Sequence, residues 1–266
     1  MESIPVEFVN EGSFVRGRFF AADGPLPTAT LLLFPGWPGD PNDVLGLGAL
    51  LVQQGINVCM FNPRGVYQSE GMCTNPNTLQ DIRSALLWLR QTDVKRQYKV
   101  DPARIILGGY SYGGGMGLAY AAQDTSVRRL ISIAGNDHGE VAREIQRNAA
   151  FAEGLRNLML STRRPAGPAH FDYDAGIQEF IDHHEIYGLR ENAARLADRS
   201  ILLLGGWEDE SVTVDQFLLP FYRALRGAGA QKVTFIVYHT DHNFTNVRQQ
   251  LAADIAGWIQ QELGDE

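Results

Sequence analysis

The 266-residue chain is 44% hydrophobic and carries a formal net charge of -8. That is enough apolar material for one large core, and no Lys/Arg-rich block tracks a phosphate backbone, so nucleic acid is excluded as an expected partner. Two cysteines, Cys59 in an apolar run and Cys73 in a polar loop, are too sparse for a disulfide framework and lack metal-ligand spacing. The opening "MESIPVEFVN" has neither a basic n-region nor an apolar h-region, and no segment supplies the roughly 18 unbroken apolar residues of a membrane span. The expected location is cytoplasmic, with no membrane span.

In chain order, "PVEFVN" and "SFVRGRFFAA" alternate across "EGS" and predict an antiparallel edge hairpin. "TATLLLFPG" and "INVCMFNPRG" are near-continuous apolar runs suited to buried central strands, so the sheet is expected to turn parallel after residue 28. "RIILGGYS", "RRLISIAG", "SILLLGGWED" and "KVTFIVYHTDH" supply four more strands, each ending in Gly or polar residues. Helices are predicted at about 41–54, 78–91, 112–123, 215–229 and 245–263. The best amphipathic period sits in "TLQDIRSALLWLRQ", with Leu79, Ile82, Leu86 and Leu89 on one face. This rhythm predicts an α/β fold with a mostly parallel, doubly wound sheet of about eight strands.

Residues 136–199 break the rhythm. Two helix-like stretches there flank "TRRPAGPAHFDYD", whose prolines and glycine cannot continue a helix. They are read as a helical lid inserted over the sheet edge, dividing the chain into a core of 1–135 and 200–266 and a cap of 136–199. Within the insertion, the adjacent His183 and His184 lack the i, i+4 spacing of metal ligands and read as surface residues.

The pentapeptide "GYSYG", Gly109 to Gly113, fits G-x-S-x-G between a strand run and a helix start. A sharp strand-to-helix turn strains the serine backbone and requires near side-chain-free residues two before and two after it. A serine so placed becomes nucleophilic only with a base and an orienting carboxylate in reach. Ser111 is therefore the candidate nucleophile.

On this motif and its setting, the chain resembles the alpha/beta-hydrolase family over about residues 28–135 and 200–263, and within it the dienelactone-hydrolase and prolyl-oligopeptidase-like branches. The resemblance implies the alpha/beta-hydrolase fold and the chain order serine, acid, histidine. It selects His242, whose "DHNF" context matches the family's final-loop histidine, over His239, which is expected to pack against or cap the strand. Asp241 is expected to hold backbone amides of that loop.

The family's spacing of Gly, two residues, then Asp falls on Gly206, Trp207, Glu208 and Asp209. Asp209 is the expected acid and Asp137 the rival, while Glu208 and Glu210 read as a solvated turn. In "FPGWPGD", Pro38 has no NH, so the resemblance places the oxyanion-hole amides on Trp37 and Tyr112, with Pro35 departing from the histidine usual there. "FNPRGVYQSEG" resembles the family's Arg-Gly-x-Gly-x-Ser loop, and Arg64 is read as structural.

The expected chemistry is hydrolysis of a carboxylic ester of small to moderate size through an acyl-enzyme, catalysed by Ser111, His242 and Asp209 with no metal or organic cofactor. Tyr110, Trp207 and Phe244 are the expected substrate-binding residues; Trp37, Tyr112 and Met116 are further candidates, at least half of the six belonging to the core. The expected partner is a small-molecule ester, and a homodimer is left open. A peptidase or amidase of prolyl-oligopeptidase type, a thioesterase and a non-catalytic ligand-binding relative are the alternatives.

Overall fold

The computed structural model describes residues 3–24 and 27–264. Its frame is one eight-stranded sheet in the order β1-β2-β4-β3-β5-β6-β7-β8. Strands β1 (Ile4–Asn10) and β2 (Ser13–Phe20) form an antiparallel hairpin, and β2 joins β4 (Asn57–Phe61) antiparallel. From β3 (Thr28–Phe34) onward every pairing is parallel, through β5 (Val100–Tyr110), β6 (Arg129–Ile133), β7 (Ser200–Gly206) and β8 (Val233–Tyr238). The fold class expected from the sequence is the one observed. Central strands such as β4 and β7 are buried along their whole length because helices cover both faces of the sheet, which is why they read as continuous apolar runs.

Two apolar clusters occupy the two faces. On one face, Ile82, Leu86 and Leu89 of α2 (Asn75–Leu89) pack with Leu32, Phe61 and Leu107. On the other, α1 (Leu47–Val52) and α11 (Arg248–Gly264) cover Leu31, Val58 and Ile106. Helix α2 starts at Thr74, whose hydroxyl caps the Asn77 amide, with Pro76 in the first turn.

Some boundaries differ from expectation. The segment before α1 is a short 3-10 turn, Val44–Gly46, because Leu45 and Gly46 adopt positive φ and Asp43 caps the amides of Gly48 and Ala49 instead. Helix α3 (Thr92–Tyr98) was not anticipated; it stops at Lys99, which is left-handed with φ 52°. Pro220 falls in the first turn of α10 (Leu219–Gly227), and the residues before it, Val214–Leu218, form a π turn. Cys59 and Cys73 are free and buried.

Between β6 and β7 the chain forms α5 (His138–Arg147), α6 (Ala149–Ser161), α7 (Tyr173–Asp182), α8 (His184–Tyr187) and α9 (Ala193–Leu196). The stretch between α6 and α7 turns back on itself and is bridged to the loop after β4, pairing Ala169 with Val66 and Phe171 with Cys73. No helix among the described residues is long and apolar enough to cross a membrane.

Candidate active site

Ser111 follows β5 and is the N-cap residue of α4 (Tyr112–Ala121) at φ 51°, ψ -117°, a conformation that non-glycine residues rarely adopt. The turn closes only because its neighbours are glycines. A Cβ on Gly109 would sit 2.2 Å from the Gly113 carbonyl oxygen, and one on Gly113 would sit 2.4 Å from the Pro35 oxygen. The Ser111 amide donates to the Ile133 carbonyl at 2.8 Å, tying the strained residue to the neighbouring strand.

The structure brings three of the expected residues into one chain of hydrogen bonds. Ser111 Oγ lies 3.0 Å from His242 Nε2, and His242 Nδ1 lies 2.7 Å from Asp209 Oδ2. Asp209 is buried, and its other oxygen accepts the amides of Ser211 and Val212, each at 2.8 Å. With that carboxylate accepting, Nδ1 carries the ring proton and Nε2 presents its lone pair to the serine hydroxyl. The loop holding His242 is fixed by Asp241, which accepts from the Thr245 amide at 2.9 Å, as the sequence suggested.

The Tyr112 amide follows Ser111 at the start of α4, and the Trp37 amide follows Gly36 in the loop after β3. Gly36 brings the Trp37 loop against the elbow, since a Cβ there would be 3.0 Å from Ser111 Cβ. Neither the Trp37 amide nor the Tyr112 amide has an acceptor among the described residues. The ring of Tyr112 is fixed by its hydroxyl, 3.1 Å from Thr78 Oγ1 and 3.2 Å from Asn75 Oδ1. Burial raises its pKa, so it stays a neutral phenol.

The rival assignments go elsewhere. Asp137 caps α5 by accepting from the Glu140 amide at 3.2 Å, and it also accepts from the Leu189 amide and from Arg190. His239 neither packs nor caps: it is exposed, with Nδ1 3.2 Å from Glu208 Oε1. Arg64 is a brace, with its backbone amide and Nε each 2.8 Å from Asp81 and Nη1 2.8 Å from Glu11. Both side chains of the Arg64–Asp81 pair are buried.

Ser111 and His242 open onto a cavity of about 430 Å³. Its walls are largely apolar: Trp37, Tyr112, Phe151, Leu155, Met159, Phe171, Ile177, Phe180 and Phe217 all contribute. The three residues expected to bind substrate are not among them, and that expectation is corrected. Phe244 is fully buried in the core, its ring edge to face with Tyr238. Trp207 is 53% exposed and lies outside the cavity lining. Tyr110 packs its ring behind His242 and donates its hydroxyl to the His242 carbonyl at 3.1 Å, lining a separate polar hollow instead. Met116 is core.

Sequence reasoning missed His138, a buried wall residue of this cavity. Its ring stacks on Phe180 at 4.6 Å and 4°, and its Nε2 lies 3.3 Å from the Tyr112 carbonyl oxygen. Burial lowers its pKa to about 4, so at neutral pH it is uncharged and Nε2–H is the donor. Nothing in the local sequence separates this histidine from the exposed His183 and His184. No group of three or more His, Cys, Asp or Glu side chains suited to hold a metal ion occurs among the described residues.

Comparison with known proteins adds a family. The pattern of the alpha/beta hydrolase fold family matches residues 29–172, more than half of the chain. The chain is 31% identical over 134 residues to the thiohydrolase aneE of Aspergillus aculeatus, covering 48% of this chain and 40% of that protein. It is 27% identical over 135 residues to the polyketide transferase grgF of a Penicillium species, covering 48% and 44%. These matches span less than half the length of either relative.

Solved structures share the fold, among them a Penicillium hydrolase and a Pyrococcus esterase. The crystal structure of the alpha/beta hydrolase GrgF from Penicillium sp. sh18 superposes with a TM-score of 0.69 at 16% identity, covering 98% of this chain and 99% of that one. An esterase of Pyrococcus furiosus gives 0.69 at 16%, covering 98% and 91%. With the family pattern laid across the strands that carry the elbow, this chain belongs to the alpha/beta hydrolase fold family.

Proposed function

We propose that this chain is a serine hydrolase that cleaves carboxylic esters of small to moderate size through an acyl-enzyme. The observation that carries the reading is the unbroken relay from Ser111 Oγ through His242 to Asp209, at 3.0 and 2.7 Å.

In this reading Ser111 Oγ attacks the ester carbonyl as His242 Nε2 takes its proton, and Asp209 stabilises the imidazolium. The Trp37 and Tyr112 amides donate hydrogen bonds to the developing oxyanion. Collapse of the tetrahedral intermediate breaks the bond to the alcohol, which leaves with the proton from Nε2. Water then repeats the sequence on the acyl-enzyme and releases the acid. The apolar cavity suits an uncharged acyl or alcohol part, and its volume of about 430 Å³ matches the small to moderate size. Residues 136–199 serve as a cap whose helices wall that cavity, and substrate range follows from them more than the acylation chemistry does.

A second reading, a thioester as substrate, is favoured by the names of the sequence relatives, a thiohydrolase and a polyketide transferase. The same relay attacks either carbonyl, so the two differ in leaving group and not in nucleophile.

Matched ester, thioester and amide substrates sharing one acyl group test the reading. The ester is expected to turn over fastest, a faster thioester favours the second reading, and a faster amide contradicts both. Ser111→Ala is expected to remove turnover by about 10⁴-fold or more while leaving the unfolding midpoint in place. Undiminished ester hydrolysis in that variant overturns the proposal.

A further inference from the structure

Trp37 presents more than a backbone amide. Its indole Nε1 donates to Thr162 Oγ1 at 2.9 Å, and the Thr162 hydroxyl in turn donates to the Met159 carbonyl at 2.6 Å. The ring is gripped edge to face by Phe171 at 4.8 Å and by Tyr112 at 6.0 Å. Thr162 itself is anchored: its carbonyl accepts from the Ala169 amide at 3.0 Å, and Ala169 is bridged to Val66 in the loop after β4. The acceptor for the indole is thus held to the loop after β4 through Ala169.

We infer that Thr162 is a positioning residue for the reaction, holding the Trp37 side chain through the indole hydrogen bond so that the Trp37 amide stays aimed at the oxyanion. The inference rests on the proposed serine mechanism. The geometry behind it is a loop that presses Gly36 against Ser111, is closed by the Gly39 amide on the Gly36 carbonyl at 2.6 Å, and has its indole hydrogen-bonded to Thr162. Losing the indole hydrogen bond leaves the Trp37 ring held by packing alone, and an oxyanion donor works only within a few tenths of an ångström of its place.

The test uses p-nitrophenyl butyrate as substrate and two reversible inhibitors of one skeleton. A trifluoromethyl ketone adds Ser111 and forms an oxyanion; the matching secondary alcohol fills the cavity without forming one. Thr162→Val is expected to lower kcat/KM about tenfold, close to the loss of one well-placed hydrogen bond, and to raise the ketone Ki by the same factor. The alcohol Ki is expected to stay within about twofold, and Thr162→Ser to restore both kinetic values to within about twofold. Trp37→Phe, which keeps a ring and removes only the indole donor, is expected to match Thr162→Val, with the double variant no worse than either.

Unchanged ketone binding in Thr162→Val overturns the inference. So does equal weakening of ketone and alcohol, which signals a change of cavity shape, and so do losses that multiply in the double variant. If Thr162→Val does not fold, Trp37→Phe decides alone: an unchanged ketone Ki overturns the inference and a tenfold rise supports it. Ser111→Ala separates the two levels. Retained hydrolysis there removes the serine mechanism and this inference with it, whereas a dead Ser111→Ala beside an unaltered Thr162→Val removes the inference alone.

Discussion

Two neighbouring stretches between β6 and β7 are held in opposite ways. Helix α6 has the regular hydrogen bonding of a helix but not one buried residue, and its Leu158 is 62% exposed. Residues 162–172 have no helix, yet they are tied to the core. The Tyr67 amide donates to the Pro168 carbonyl at 3.1 Å, the His170 amide to Gly65 at 2.7 Å, and the Cys73 amide to His170 at 2.8 Å. Ala169, Phe171 and Tyr173 complete a small apolar cluster with Val66 and Cys73. Regular local structure and strong tertiary attachment are therefore separate properties, and in this segment they fall on different residues.

Substitution at Gly65 is expected to cost the most. Its φ is +79°, and a Cβ would lie 2.4 Å from the Cys73 amide nitrogen and 2.7 Å from the His170 oxygen, both backbone atoms. Gly65→Ala is expected to cost about 3 kcal/mol or more by combining a clash with an unfavourable φ, measured by urea unfolding. A loss under about 1 kcal/mol would show that 162–172 is not attached as described. Next comes Phe171→Ala, which empties the centre of the small cluster and frees one side of the Trp37 ring; about 3 kcal/mol is expected from the cavity.

A smaller, pH-dependent effect sharpens the picture on α7. His138 stacks on Phe180 of that helix, and burial holds its pKa near about 4, below the ordinary 6.5. Between those values the unfolded chain binds a proton that the folded chain does not, so this residue's contribution to stability is lost as pH falls through the window. The slope is at most about 1.4 kcal/mol per pH unit. His138→Phe keeps a stacking ring and is expected to flatten the fall in urea midpoint from pH 7 to pH 5; an unchanged slope contradicts the assignment. The smallest effect is expected on α6, where Leu158→Ser should change stability by no more than about 0.5 kcal/mol. Its consequence is a shift in preferred acyl length, read from a series of p-nitrophenyl esters, since Leu158 lines the cavity.

What the sequence made legible follows the range of the interactions involved. The elbow was readable because a strained turn dictates its own neighbours, and Gly109 and Gly113 stand where a Cβ would strike backbone. The candidate relay partners were found by chain order and spacing from the family resemblance, and the strand order by runs of apolar residues. The cavity was not readable. Phe244 stands two residues from His242 yet faces the core, whereas Phe151, Phe180 and Phe217 reach the cavity from distant elements. The attachment of 162–172 was equally hidden, because its partners lie about a hundred residues earlier and pair through backbone groups, which carry no side-chain signature. Pro165 and Pro168 predict only that no helix runs there, and that much the structure shows.

The proposed chemistry requires that the hydroxyl of Ser111 be activated by its neighbours in space. Treating the intact protein with a fluorophosphonate and locating the adduct by peptide mass spectrometry tests it most directly. A single phosphonylated site on Ser111, with labelling slowed by several orders of magnitude in His242→Ala, is the result predicted. Label on another residue, or equal labelling when the imidazole is gone, contradicts the account.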